Sequence, residues 1–269
     1  MKNGVGKLLV PPGKKFDLGD VDPGATHGTS KDSAAAALAK NLERLSVLQY
    51  LLYAEGRRAL LVVLQGIDAG GKDGTIRHVM SGLNPQGVTV TPFKVPEGAE
   101  KRHDYLWRVH KAIPEYGQIG IFNRSHYEDV LVVRVHGLAP KSAWSKRYHQ
   151  INEFERMLAE NHVHIVKFLL YISKEEQAKR FHERLEDKSK NWKFSPADIK
   201  EREYWDAYIE AYNDVLEKCN TEYAPWYVIP ANRKWYRNLA VSQILVDTLE
   251  GMKLQYPKPA ADLSKIQFE

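Results

Sequence analysis

An apolar run at residues 60–64 breaks into Gln65-Gly66-Ile67-Asp68-Ala69-Gly70-Gly71-Lys72-Asp73-Gly74-Thr75, and no other segment restricts the fold so tightly. The spacing Gly66-x4-Gly71-Lys72 is that of a phosphate-binding loop. Glycines permit backbone angles and close approaches that a Cβ forbids. Loop amides can then converge on phosphate oxygens at a helix N-terminus, where the helix dipole also favours an anion. Lys72 adds a point charge within reach of a phosphoryl group. The buried-type strand before the loop and the helical pattern after it, Thr75-Ile76-Arg77-His78-Val79-Met80, supply the context that a bare motif lacks. Gly66, Ala69, Gly70, Gly71, Lys72, Asp73, Gly74 and Thr75 are therefore the candidate phosphate-binding residues. Asp73 departs from the pattern, because it stands where such loops carry the Ser or Thr that ligates Mg²⁺. Asp68, inside the loop, is the substitute carboxylate, since Mg²⁺ takes hard oxygen ligands and keeps several waters.

A chain of 269 residues can bury a sizeable core. Its net charge of +5 suggests an anionic partner: a nucleotide, a nucleic acid, an acidic polymer or an anionic lipid. The single Cys219 rules out an intrachain disulfide framework and argues against a cysteine-based zinc site, so a reducing cytoplasm is expected. The opening Met1-Lys2-Asn3-Gly4-Val5-Gly6-Lys7 lacks the apolar core of a signal peptide. No stretch of 18 apolar residues predicts a membrane span.

Residues 1–31, rich in Gly, Pro, Asp and Lys, read as an extended arm over the surface. A helical period covers 32–58, with Asp32 or Ser33 as its N-cap. Apolar runs suited to buried strands recur at 60–64, 88–93, 119–122, 163–172 and 226–229. Helical patterns at 75–81, 103–113, 142–161, 175–185, 196–219 and 235–254 separate and follow them. Such alternation predicts an α/β fold, a parallel sheet covered on both faces, in one domain spanning 32–269. Tyr256-Pro257-Lys258-Pro259 ends the last helix, and the tail beyond is expected to be loose.

In open parallel sheets, ligands bind beyond the carboxyl ends of the strands. Two such places are unusual. After 119–122 comes Asn123-Arg124-Ser125-His126-Tyr127-Glu128-Asp129, where a phosphate-loop protein normally offers an acidic residue to Mg²⁺. A guanidinium at Arg124 can clamp phosphate bidentately, and the Asn123 amide can orient a ligand or a metal-bound water. His126 is the one histidine near this place, and none of the histidines shows metal-ligand spacing with a supporting carboxylate. The second place follows 163–172. There Ser173 and Glu176 form a capping-box pattern, and Arg180, Arg184 and Lys188 fall four apart on one helix face. The basic, aromatic Lys190-Asn191-Trp192-Lys193-Phe194-Ser195-Pro196 comes next, so 174–200 suits a closing lid that brings positive charge while expelling water. A solvated face paired with Glu176, Glu183 and Glu186 would explain the same charges. Lys94, Lys101, Arg102, Arg108, Lys111, Lys141, Lys146 and Arg147 are singly surface residues, but together they can line a groove for a polyanion longer than a nucleotide.

Gly66–Gly74, Phe122–Asp129 and Trp192-Lys193-Phe194-Ser195-Pro196-Ala197-Asp198 together resemble the family-2 polyphosphate kinases. Asp104-Tyr105-Leu106-Trp107-Arg108 and the stretch from Arg147 to Glu155 fit as well, and the resemblance runs from about 32 to 250. It implies a three-layer α/β/α, thymidylate-kinase-like P-loop fold with a helical lid. It further implies Mg²⁺, or Mn²⁺ in its place, and phosphoryl transfer between inorganic polyphosphate and AMP or ADP. On this resemblance Asp68, Lys72, Arg124, Arg180 and Arg184 are catalytic, with Asp68 and Asn123 toward the metal. Asn123, His126, Glu128, Asp129 and Arg134 would meet the nucleotide. Lys94, Arg108, Lys141, Arg147, Lys188 and Lys193 would meet polyphosphate. Many members carry Asp where Asn123 stands, which shifts weight onto Asp68. Glu128-Asp129, where other branches have Asn-Arg, resembles the branch that accepts both AMP and ADP. A homo-oligomer, dimer or tetramer, is expected, with neither membrane nor nucleic acid as partner. The competing readings are an ATP-dependent nucleoside monophosphate kinase of the same fold and a basic, non-catalytic nucleotide- or nucleic-acid-binding module. The latter lacks a glycine-aromatic RNA motif or a helix-turn-helix.

Overall fold

In the computed structural model, which describes residues 5–263 and Ile266, the apolar runs become five parallel strands. They are β1 (Ala59–Gln65), β2 (Val88–Pro92), β3 (Ile119–Asn123), β4 (Val163–Tyr171) and β5 (Trp226–Pro230), in the order β2-β3-β1-β4-β5. Side chains alternate across a strand, so β1 feeds two cores at once. Leu60, Val62 and Leu64 face one layer, Leu61 and Val63 the other. The first layer holds α1 (Lys31–Glu55), α2 (Lys72–Val79) and α9 (Lys234–Gly251). The second holds α5 (Lys141–Glu160) and α8 (Trp205–Lys218), with the one-turn helices α3 (Trp107–His110) and α4 (Val132–Val135) beside them. Residues 174–200, expected to form a lid, contribute α6 (Lys174–Glu186) and α7 (Pro196–Glu201).

The boundaries follow local chemistry. Ser30, not Asp32 or Ser33, caps α1 by accepting from the Ser33 N–H, and left-handed Gly56 ends the helix. Ser173 caps α6 in the same way through the Glu176 N–H. The expected helix over 103–113 shrinks to α3, because the Asp104 carboxylate takes the Leu106 N–H and Pro114 follows. The expected helix over 196–219 is two helices, α7 and α8, joined by a 3₁₀ turn at Arg202–Tyr204.

The N-terminal arm is not merely draped over the surface. Leu9 bridges antiparallel to Tyr227, Val10 N donates to Trp226 O at 3.0 Å, and Val228 N donates to Leu8 O at 2.9 Å. Leu8, Val10 and Leu18 are buried, so the arm lengthens the sheet beyond β5 and fills both cores. Residues 1–4 of the arm, and 264–265 and 267–269 of the tail, lie outside the described residues. Among the described residues no helix is long and apolar enough to cross a membrane.

The strand order places β1 centrally. The chain leaves β1 to one side for β2 and β3, then crosses to the other for β4 and β5. The carboxyl ends of β1 and β3 flank that reversal, where a ligand crevice forms in such sheets.

Candidate active site

The loop after β1 is held open by close backbone contacts. A Cβ on Gly66 would lie 2.8 Å from Leu170 O, and one on Gly70 would lie 2.8 Å from Ile67 O. Gly71 opens α2 at φ 104°, a conformation that side-chained residues rarely adopt. Lys72 folds back over the loop, its Nζ donating to Gly66 O at 2.6 Å. Burial, helped by the positive charge of Arg124, lowers its pKa to about 8, against the pull of Asp68, Glu128 and Asp73.

The neighbouring strand tip delivers the opposing group. Arg124 N donates to Leu64 O, and the residue sits at φ 63°, a costly left-handed angle for a side-chained residue. Its Nη2 meets Asp68 Oδ1 at 2.8 Å and its Nη1 lies 3.8 Å from Glu128 Oε2. Burial opposes the guanidinium charge, but Glu128 and Asp68 hold its pKa above the ordinary value. Burial pushes Glu128 the other way from most carboxylates, above its usual range, despite Arg124 and Lys72. Asn123 Nδ2 donates to Asp73 Oδ1 at 2.8 Å, while Lys193 Nζ approaches Asp73 Oδ2 at 3.5 Å. Burial would raise Asp73, yet the Asn123 amide and Lys193 keep it below the usual carboxylate range.

Two clefts meet at Asp68 and Arg124. The larger, about 900 Å³, is lined by the loop and by cations from several segments: Lys72 at the start of α2, Lys94 after β2, Arg124 after β3, Arg180, Arg184, Lys190 and Lys193 from the 174–200 segment, and Lys234 and Arg237 from α9. Only Asp68, Asp73 and Glu183 oppose them, so this wall selects an extended anion. The smaller cleft, about 250 Å³, lies under α7 and is lined by Gly66, Glu128, Leu131, His136, Asp198, Glu201, Tyr208 and Tyr212 besides the shared pair. Its carboxylates and aromatic rings suit a neutral, hydrogen-bonding body carrying one charged end.

No group of three or more His, Cys, Asp or Glu that could hold a metal occurs among the described residues. That excludes an all-protein cage but not a magnesium site, which ordinarily uses one or two carboxylates plus substrate phosphates. The side-chain oxygens of Asp68, Asp73 and Asn123 at the edge of the larger cleft have the required hard chemistry and fit such an ion.

Several expectations need correction. Thr75 does not face the cleft; its hydroxyl is buried and donates to Gly71 O at 3.1 Å. The Gly70 amide is taken by Ile67 O at 2.9 Å. Of the five nucleotide candidates only Glu128 lines the smaller cleft. Asn123 lines the larger one instead. His126 is turned into the core, its Nε2 3.1 Å from Glu155 Oε1, beside the fully buried Lys167–Glu155 pair. Asp129 is held by Arg147 at 2.9 Å, and Arg134 by Asp214 and Glu210, each at 2.5 Å. Arg180 is not a free lid arginine: it is 5% exposed and donates to Ala69 O, Gly70 O, Ala231 O and Asn232 O. Lys188 lies beyond the end of α6, off the face shared by Arg180 and Arg184, and lines neither cleft. Lys141 starts α5, away from both clefts. Arg108 braces the wall through Lys94 O at 2.7 Å and Glu100 at 3.2 Å, and Arg147 borders a separate groove with Tyr105 and Lys146. Lys94, Arg184 and Lys193 do line the larger cleft.

The sequence reading missed Lys234 and Arg237 in the larger cleft and His136, Tyr208 and Tyr212 in the smaller one, and it gave Lys190 and Asp198 only as parts of motifs. The strand-end rule, applied after β5, would have pointed to Arg233-Lys234-Trp235-Tyr236-Arg237.

A parallel sheet with a glycine loop at its central strand, cations on one side and a second small cleft on the other, defines a P-loop phosphotransferase. Residues 28–257 match the family model described as Polyphosphate kinase 2 (PPK2), and the chain belongs to that family. It is 54% identical over 98% of its length to an AMP/ADP-polyphosphate phosphotransferase of Meiothermus ruber, covering 99% of that protein. It is 47% identical to an ADP-polyphosphate phosphotransferase of Rhodopseudomonas palustris, covering 96% of this chain and 94% of the relative. The crystal structure of Polyphosphate Kinase 2 from Arthrobacter aurescens TC1 superposes with a TM-score of 0.94 at 47% identity, over 98% of this chain and 94% of that one.

Proposed function

We propose that this chain transfers the terminal phosphoryl group of inorganic polyphosphate to AMP and to ADP, and runs the reverse reaction when nucleotide is in excess. The observation that carries the reading is the meeting of two unlike clefts at Asp68 and Arg124. The cationic cleft receives the polyphosphate chain and the smaller one the nucleotide, so donor and acceptor ends face each other. A terminal phosphate oxygen of the nucleotide attacks the last phosphorus of the chain in line. The bridging P–O bond breaks as the new one forms, and the electron pair stays on the shortened polyphosphate. An ionised phosphate oxygen attacks directly and needs no base. Such loose transition states depend on positioning and electrostatics rather than covalent help. In this reading Lys72 and the loop amides hold the transferring group, and Arg124 neutralises charge that shifts toward the leaving oxygen. Asp68, with Asp73 and Asn123, would hold Mg²⁺, or Mn²⁺ in its place; the ion, when bound, offsets the negative charge of the phosphates.

The reading also takes the protein as one P-loop phosphotransferase domain whose residues 174–200 form the lid. A cytoplasmic location is supported by the single, buried Cys219. Homo-oligomerisation is supported by Val47, Tyr50 and Tyr53, which stand exposed on α1 as a face that a second copy would cover.

The test is a donor swap. Purified protein with Mg²⁺, long-chain polyphosphate and AMP or ADP, but no ATP, is expected to yield ADP and ATP. Product formation only when ATP is the donor would replace the reading with a nucleoside monophosphate kinase.

A further inference from the structure

One guanidinium in the larger cleft is left by the protein without a counter-ion. Arg237, on the first turn of α9, is only 3% exposed. Its Nε and Nη2 donate to the neutral Oδ1 of Asn238 at 3.1 and 2.8 Å. Among the described residues no carboxylate pairs with Arg237, and its Nη1 donates to no protein acceptor. Two loop glycines make room for it. A Cβ on Gly71 would come within 2.0 Å of Nη1, and one on Gly74 within 3.2 Å of Nη2. Its neighbour Arg180 differs, because that guanidinium is satisfied by four carbonyls and by Glu176 at 2.8 Å. Burial, and then the like charge of Arg180, lower Arg237 to about 10, so it stays protonated at neutral pH.

A buried cation that nothing pairs is unfavourable unless an anion reaches it. The group lines the same cleft as Lys72 and lies directly against the glycine loop. We propose that Arg237 contacts the polyphosphate chain itself, clamping a phosphoryl group that lies along the Gly71 turn. The inference rests on the donor assignment made above. It makes Arg237 a substrate-contacting residue contributed by the element after the last strand, far in sequence from the loop that it serves. A purely structural role, propping the loop from behind, would not require Arg237 to line the cleft as it does.

The experiment compares wild type, Arg237→Met and Arg237→Lys by steady-state kinetics and by the rise in melting temperature on adding long-chain polyphosphate. Loss of one charge-assisted contact predicts about a tenfold higher KM for polyphosphate in Arg237→Met. The KM for nucleotide should stay within about twofold, since that contact lies on the donor side. The polyphosphate-induced thermal shift should shrink, and Arg237→Lys should recover part of both effects, since it keeps the charge but loses the fork. Equal rises in both KM values, or an undiminished thermal shift in Arg237→Met, would overturn the proposal in favour of a prop. If Arg237→Met does not fold, Arg237→Lys decides, and an unchanged polyphosphate KM there overturns it. A wild-type protein that neither uses nor is stabilised by polyphosphate would bring down the donor assignment and this inference together. A responsive wild type with an equally responsive variant would bring down the inference alone.

Discussion

At the scale of single residues the site depends on charges kept ready without ligand. Lys72 is the clearest case, because burial lowers an ammonium whose task requires a proton to about 8. In the free enzyme that proton is lost as pH rises through about 8, so kcat/KM, which reports the free enzyme, should fall there. The stability term has the opposite sign. Between about 8 and the ordinary 10.5 the unfolded chain binds the proton that the folded chain has released, so the contribution of Lys72 to stability rises with pH across that window. Lys72→Met should therefore flatten both limbs and lower kcat/KM by about 10²- to 10³-fold, the typical loss for one preorganised charge donor. A pH–rate profile and urea melts at several pH values check the pair of trends. Lys72, Asp68 and Arg124 were legible from spacing alone, because loop geometry and strand ends dictate where such groups point. His126 was misread for a local reason. It follows Arg124 by two positions, but the short 3₁₀ turn at His126–Asp129 turns its ring toward Glu155 and the core. Arg237 was missed because no local pattern ties α9 to a loop more than 160 residues earlier in the chain, and only the strand-end rule, applied after β5, points to it.

At the scale of elements, α6 is both a wall and an anchor. Arg180 reaches from it to the carbonyls of Ala69 and Gly70 and to those after β5, fastening α6 to the loop that follows β1. One turn further on, Arg184 lines the larger cleft, lies over the Phe181 ring and meets Lys193 O at 3.4 Å and Asp198 at 3.7 Å. The two arginines should thus separate in mutagenesis although they share a helix face. Arg180→Met leaves buried carbonyls and Glu176 unpaired, and should lower unfolding free energy by about 3 kcal/mol. It should also speed hydrogen exchange across residues 66–71. Arg184→Met should alter stability by less than about 1 kcal/mol, as part-exposed pairs do, while lowering turnover. Similar losses of stability in both variants would mean that the lid is fastened differently. Periodicity located α6 and its cap because amphipathic spacing and Ser173 are local signals. It could not reveal the break between α7 and α8. Apolar spacing continues through Tyr204 and Tyr208, while the axis turns at Arg202–Tyr204 to set Tyr204 and Tyr208 against His136.

At the scale of the whole molecule, strand alternation and the parallel sheet were readable because buried parallel strands must be continuous apolar runs, whereas the order that reverses beside β1 came only with the structure. The packed arm was not: Leu8, Val10 and Leu18 sit among Gly, Pro and Lys without a period, and their places come from distant elements, the edge of β5 for the stretch around Leu9 and α8 for Leu18, whose N–H donates to Asn213 Oδ1. The global arrangement divides charge unequally between the clefts that share Asp68 and Arg124. One carries lysines and arginines drawn from along the whole chain, from Lys72 to Arg237, whereas the other sets Glu128, Asp198 and Glu201 against little more than Arg124 and His136. Donor and acceptor should therefore respond differently to ionic strength. A polyanion neutralised by many side chains loses affinity steeply as salt screens and competes. A nucleotide held by rings, hydrogen bonds and one guanidinium should lose little. Raising salt from about 50 to about 200 mM should increase the polyphosphate KM severalfold while the nucleotide KM changes by less than about twofold. Because both clefts open at once on the same residues, initial-velocity plots should intersect, as a ternary complex requires, rather than run parallel as a phosphorylated enzyme would give. Parallel plots would show that the two substrates never occupy the protein together. Matched salt sensitivities would show instead that charge does not tell donor from acceptor, and a steeper dependence for the nucleotide KM would exchange the assignments of the two clefts.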